Sequence, residues 1–282
     1  MKARIISGFC YALVLVAFFL LKWFLNDYWF DVLIWLFCLI GSFEMARACS
    51  LPKPQKGIAI VFGLTCIPVF VAGELAWGLG AVLFVCFFAL ACVAMLSTLV
   101  GSYEQVTLES TAKGVLSLVY PSLLLGVMAY VNHMEDSMAA LLLIFVSSPL
   151  ADVFAHAFGT ALHEKFPKKM APAISPNKTV IGGIGGLIGG IVGGLLVFLL
   201  LYLTERTAFG VWQGLLFFGI LGLFCALLTE FGDLVESAIK RKVDIKDMGN
   251  LMPGHGGILD RIDGTMYVTL LVCVVFVLVS FL

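Results

Sequence analysis

Glu230-Phe231-Gly232-Asp233-Leu234-Val235-Glu236-Ser237-Ala238-Ile239-Lys240-Arg241 breaks into an otherwise apolar chain and leads through Lys246-Asp247-Met248-Gly249 to Pro253-Gly254-His255-Gly256-Gly257-Ile258-Leu259-Asp260-Arg261-Ile262-Asp263. Residues 230–263 hold 12 of the 35 charged residues (17 Lys and Arg, 18 Asp and Glu). Apolar runs flank them at 210–229 and 265–282. Runs of about 20 apolar residues read as membrane spans. Charge concentrated between two of them is costly and therefore points to function.

The same alternation extends outward over the whole chain. Of 282 residues, 61% are hydrophobic and 12% charged, where globular chains carry about 25% charge. The sequence predicts an all-α, polytopic integral membrane protein with about nine transmembrane helices. The spans fall near 5–25, 28–47, 57–74, 78–100, 112–131, 137–162, 180–203, 210–231 and 264–282. Residues 1–282 read as a single membrane domain, with N-terminal helices over 1–131 and a catalytic half over 137–282 carrying motifs at 152–182 and 230–264. The apolar run after Lys2 and Arg4 meets no small-x-small cleavage pattern and reads as a retained first span. Placing the N-terminus in the cytoplasm puts 15 Lys and Arg residues on that side and only Lys22 and Arg206 on the other. The expected location is the cell membrane, multi-pass, with the charged stretch facing the cytoplasm. A net charge of −1 attracts no nucleic acid. The eight cysteines form no Cys-x-x-Cys pair and read as packing residues.

Spacing within the charged stretch is informative. Asp233, Glu236, Ser237, Lys240 and Arg241 recur at helical intervals, so one helix face begins acidic and ends basic. Carboxylate oxygens suit Mg²⁺, and Lys and Arg suit phosphate oxygens. Pro253 to Gly257 excludes a stable helix, and its glycines allow backbone N–H groups to approach an anion. Asp260 and Asp263 add further oxygens for a metal.

The run Ser237-x-Ile239-Lys240-Arg241-x4-Lys246-Asp247-x-Gly249-x3-Pro253-x-His255-Gly256-Gly257-Ile258-x-Asp260-Arg261-Ile262-Asp263 resembles the signature of the phosphatidate cytidylyltransferases, or CDP-diglyceride synthetases. Met252 stands where that family prefers a branched aliphatic residue or Phe. The resemblance implies transfer of a cytidylyl group from CTP to phosphatidate, giving CDP-diacylglycerol and pyrophosphate. It implies Mg²⁺, with room for a second, monovalent cation, and a lipid bilayer as partner; a homodimer is compatible with it. Asp233, Asp260 and Asp263 would be metal ligands, and together with Lys240 and Arg241 the catalytic group. Ser237, Lys246, His255, Gly256, Gly257 and Arg261 would contact substrate.

A second element, Ser175-Pro176-Asn177-Lys178-Thr179, resembles the family's Ser-Pro-x-Lys-Thr, so Ser175, Lys178 and Thr179 join the substrate contacts. The family then has Glu-Gly, where Ile181-Gly182 stands here. Upstream, Asp152, Ala155 and Gly159 match the family pattern, whereas His156 and His163 replace Tyr and Gly. Ser148, Asp152, His156, Gly159 and His163 make one polar stripe, so Asp152 and His156 are expected to line a cavity with Glu236 and Asp247. Residues 102–113 and 165–169 read as a solvated loop and a basic surface loop.

Glycines at 182, 183, 185, 186, 189, 190, 193 and 194 form two adjacent helical stripes. With no βαβ context they are small-residue packing surfaces, expected to admit another span, the one bearing Asp233 among the candidates. In the first 110 residues, Glu44 and Glu74 read as interfacial side chains near span ends. A transporter and a catalytically degenerate lipid-binding relative are the competing readings. A CDP-alcohol phosphotransferase would need an Asp-Gly-x-x-Ala-Arg arrangement, which is not seen.

Overall fold

The computed structural model describes residues 2–254 and 256–281. Among them, nine helical segments are long and apolar enough to cross a membrane. They comprise α1 (Lys2–Phe24), α2 (Tyr28–Ala48), α3 (Lys53–Trp77), α4 (Gly80–Gly101), a composite fifth segment, α7 (Ser137–Leu162), α8 (Val180–Leu203), α9 (Val211–Lys242) and α10 (Leu259–Val279). The fifth consists of α5 (Leu108–Ser117), a π-helical turn (Leu118–Leu123) around Pro121, and α6 (Leu124–Asn132). The π turn absorbs the hydrogen bond that Pro121 cannot donate.

The chain divides into two compact units, residues 1–134 with 242–262, and residues 135–241 with 263–282. In the first unit, α2 is largely buried, with Phe30, Ile34, Cys38 and Met45 almost inaccessible. A lipid-facing apolar side chain gains little by turning inward, so small residues and polar pairs specify the packing. Gly63 of α3 lies against Ser42, whose Oγ is 3.0 Å from Ser122 Oγ. Gln55 donates to Thr98 and Thr111 at 3.1 and 2.9 Å, tying α3, α4 and α5. At the α1–α2 turn, Asp31 accepts from Asn132 at 2.9 Å and lies 2.7 Å from His133 Nε2.

In the second unit, the two glycine stripes of α8 have separate neighbours. Gly182, Gly185, Gly189 and Gly193 face α7 at Ala155, Phe154, Leu150 and Ser147. Gly190 and Gly194 face α9, where added Cβ atoms would collide with the Gly222 and Phe218 carbonyls. The span bearing Asp233 therefore does pack on the glycines. Gly232 of α9 and Gly264 of α10 make a second close approach, since a Cβ on Gly232 would stand 2.9 Å from the Asp263 carbonyl oxygen.

α9 continues past its apolar run to Lys242, as its amphipathic charged face predicts. Three segments differ from the sequence expectation. α10 begins at Leu259, so Asp260 to Asp263 are its first turn. The supposed loop at 102–113 becomes helical from Leu108, with a Thr107–Ser110 capping box. The basic loop runs into a hairpin, β1 (Lys169–Ala171) against β2 (Ser175–Thr179), pairing Lys169 with Thr179 and Ala171 with Ser175.

Candidate active site

Two polar clusters hold most of the candidate residues, one in each unit. The second unit's cluster is built on α9. Lys178, the penultimate residue of β2, places its ammonium 2.5 Å from Asp233 Oδ2. Ser237 donates to Asp233 Oδ1 at 3.3 Å. Lys240 donates to Glu236 Oε2 at 2.6 Å, and Glu236 is fully buried. Asp263 has Asp233, Glu236 and Lys240 as electrostatic neighbours, and it accepts from the Gly264 N–H at 2.7 Å. The predicted acidic-to-basic face therefore exists, and α10 adds Asp263 to it. Arg241 is exposed, its Nε 3.5 Å from the Ile174 carbonyl.

Thr179 takes a different place from the substrate contact expected of it. It is buried and caps α8, accepting from the Gly182 N–H at 3.1 Å. Ser175 starts β2, half-buried. Asp152 and His156 lie on the exposed face of α7, away from its glycine contact with α8; His156 Nδ1 is 2.8 Å from Thr160 Oγ1.

The first unit's cluster is the glycine-rich loop. Glu44 is buried and accepts from the Ile258 and Leu259 N–H groups at 3.1 and 3.0 Å. Asp260 Oδ2 accepts from the Met248 and Gly257 N–H groups, both at 2.8 Å. Arg47 donates to the Met248 carbonyl at 3.0 Å. Gly249 and Gly257 are needed because a Cβ at either would collide with the Glu44 carboxylate. Gly256 has φ +83, open to glycine at least cost, and a Cβ there would sit 2.5 Å from Asp260 Oδ2.

This arrangement corrects two expectations. The Gly257 N–H, expected to receive substrate phosphate, already donates to Asp260, and the Ile258 and Leu259 N–H groups after it donate to Glu44. Glu44, expected at an interface, caps the positive end of α10. It was missed because a lone Glu near a span end carries no spacing signal, and its partners lie 214 and 215 residues away. Lys246, Asp247 and Arg261 are exposed, and Gly256 is half-buried; His255 lies outside the described residues.

Asp233 and Asp263 suit a Mg²⁺ ion in donor chemistry. Among the described residues no three His, Cys, Asp or Glu side chains are grouped to hold a metal. Mg²⁺ does not need such a cage, since it keeps waters and commonly takes one or two carboxylates with substrate phosphates. Lys178 and Lys240 stand beside these carboxylates, and ammonium groups suit phosphate oxygens.

The model of the cytidylyltransferase family matches residues 2–279. The chain is 34% identical over 174 residues to a phosphatidate cytidylyltransferase of Staphylococcus haemolyticus (strain JCSC1435). It is 33% identical over 174 residues to that of Staphylococcus aureus (strain COL), and 32% to that of Staphylococcus epidermidis (strain ATCC 12228 / FDA PCI 1200). Each match spans 62% of this chain and 62% of the relative's length.

Proposed function

The chain belongs to the cytidylyltransferase family, and from that premise we propose that it transfers the cytidylyl group of CTP to phosphatidate. The carrying observation is the α9 cluster, where Asp233, Asp263, Lys178 and Lys240 bring paired carboxylates and paired ammonium groups together. That pairing matches a metal–polyphosphate complex better than it matches a transported solute. The relatives named phosphatidate cytidylyltransferase support the substrate class.

A phosphate oxygen of the lipid attacks the α-phosphorus of CTP. A new P–O bond forms, the bond to the oxygen bridging to the β-phosphorus breaks, and pyrophosphate leaves with that electron pair. Phosphate is already anionic near neutral pH, so the chain's task is alignment and charge neutralisation rather than proton abstraction. Lys178, Lys240 and Arg241 bind phosphate oxygens, and Ser237 orients Asp233. Asp233 and Asp263 would hold Mg²⁺, whereas Asp260 is held by the Met248 and Gly257 N–H groups. The ion, when bound, neutralises charge developing on the departing pyrophosphate. The Lys and Arg distribution supports a site on the cytoplasmic side of the cell membrane, where CTP arrives from water and phosphatidate from the bilayer.

The test is purified protein in detergent micelles with phosphatidate, Mg²⁺ and labelled CTP, the product followed by mass spectrometry. Phosphatidate-dependent CDP-diacylglycerol and pyrophosphate, both lost in Asp263→Asn, are expected. Well-folded protein that yields neither across lipids and divalent metals would return the reading to a transporter or a degenerate lipid-binding protein.

A further inference from the structure

Glu230 lies one turn before Asp233 on α9, so the two carboxylates share a face. Its Oε1 is buried and accepts no hydrogen bond from any described residue. Glycine makes the room. A Cβ on Gly186 would collide with Glu230 Oε1, and one on Gly183 would stand 3.0 Å from Oε2. Met170 of β1 closes the same recess, its Cε 2.6 Å from that Gly183 position. The charged groups that act on this carboxylate are Lys178 and Asp233. A buried carboxylate oxygen without a donor is unfavourable unless a donor reaches it, and the ammonium of Lys178 is at hand.

We infer that Glu230 is a second seat for the Lys178 ammonium, which moves there from Asp233 when the nucleotide and its cation engage Asp233. This rests on the CTP reading above. Asp233 Oδ2 holds Lys178 at 2.5 Å, and a divalent cation taken by the same carboxylate repels the ammonium. Lys178 is anchored at the end of β2 by the Thr179 cap, so its displaced ammonium needs a nearby anion. Glu230 supplies one from a recess already cut by two glycines, and Lys178 stays beside the phosphates. Glu230 is thus a positioning residue acting through Lys178.

A double-mutant cycle on the full chain in micelles tests this, using wild type, Glu230→Gln, Lys178→Gln and the double variant. Gly186→Ala, which pushes the carboxylate out of its recess, is the second way to remove the seat. Two quantities are read: kcat with KM for CTP, and the rise in apparent melting temperature caused by CTP with Mg²⁺. Glu230→Gln should lower kcat about tenfold and shrink the nucleotide-induced rise, yet add less than about twofold once Lys178 is Gln. Gly186→Ala should reproduce Glu230→Gln. Fully multiplicative losses, or an unchanged nucleotide-induced rise in both Glu230→Gln and Gly186→Ala, overturn the inference while leaving the reaction standing. Wild type stabilised by CTP but yielding no CDP-lipid overturns the reaction instead, and the cycle in nucleotide stabilisation still decides the coupling.

Discussion

The α9 cluster and the glycine-rich loop use the same residue types with opposite kinds of partner. On α9, Asp233 and Glu236 are neutralised by the flexible side chains of Lys178 and Lys240. In the loop, Glu44 and Asp260 are held by backbone N–H groups of Met248, Gly257, Ile258 and Leu259. A lysine can leave a carboxylate for a phosphate without disturbing the fold. A backbone amide can leave only if the loop changes shape. Asp233 and Glu236 can therefore be released without moving the backbone, whereas Glu44 and Asp260 are tied to the shape of the loop.

Four substitutions can break or sharpen that distinction. Asp233→Asn should have the largest effect on turnover, lowering kcat about a thousandfold, the scale set by loss of an electrostatic contact to the reacting centre. Its apparent melting temperature should stay near that of wild type, and a large thermal loss would place Asp233 with the structural carboxylates. Glu44→Ala should do the reverse. Leaving two buried N–H groups without an acceptor costs about 1–3 kcal/mol each. Faster proteolysis and faster amide exchange at 248–259 should report it, and normal protection there would show that another group satisfies those amides.

Thr179→Val removes a helix cap worth about 1 kcal/mol. A lower melting temperature with KM for CTP nearly unchanged would confirm a capping role, whereas a large rise in KM would restore Thr179 as a phosphate ligand. Ser237→Ala should be mildest, a few-fold fall in kcat for one long hydrogen bond. A loss matching Asp233→Asn would instead make Ser237 a direct substrate contact.

Much of this was legible in advance. Nine apolar runs marked the nine membrane-length segments, because span length depends only on bilayer thickness and helical rise. The α8 glycines announced a close helix contact on two adjacent stripes, but that one stripe meets α7 was visible only in the structure. The acidic-to-basic face of α9 was visible from its helical spacing. The β1–β2 hairpin was not, since two very short strands beside Pro172 and Pro176 carry little alternation. The role of Gly256 and Gly257 was half legible. Their freedom to admit an anion was foreseen, but the anions are Asp260 and Glu44.

The sequence by itself determined the membrane-spanning helical class, the two glycine stripes and the family motif, because these depend on composition and on spacings within one helix or loop. Tertiary structure decided which carboxylate is bound by an ammonium, which by backbone amides, and where Glu230 finds its recess. Lys178 with Asp233, and Glu44 with Ile258 and Leu259, join residues far apart in the chain, and such contacts follow from the packing of the helices rather than from any interval in the sequence.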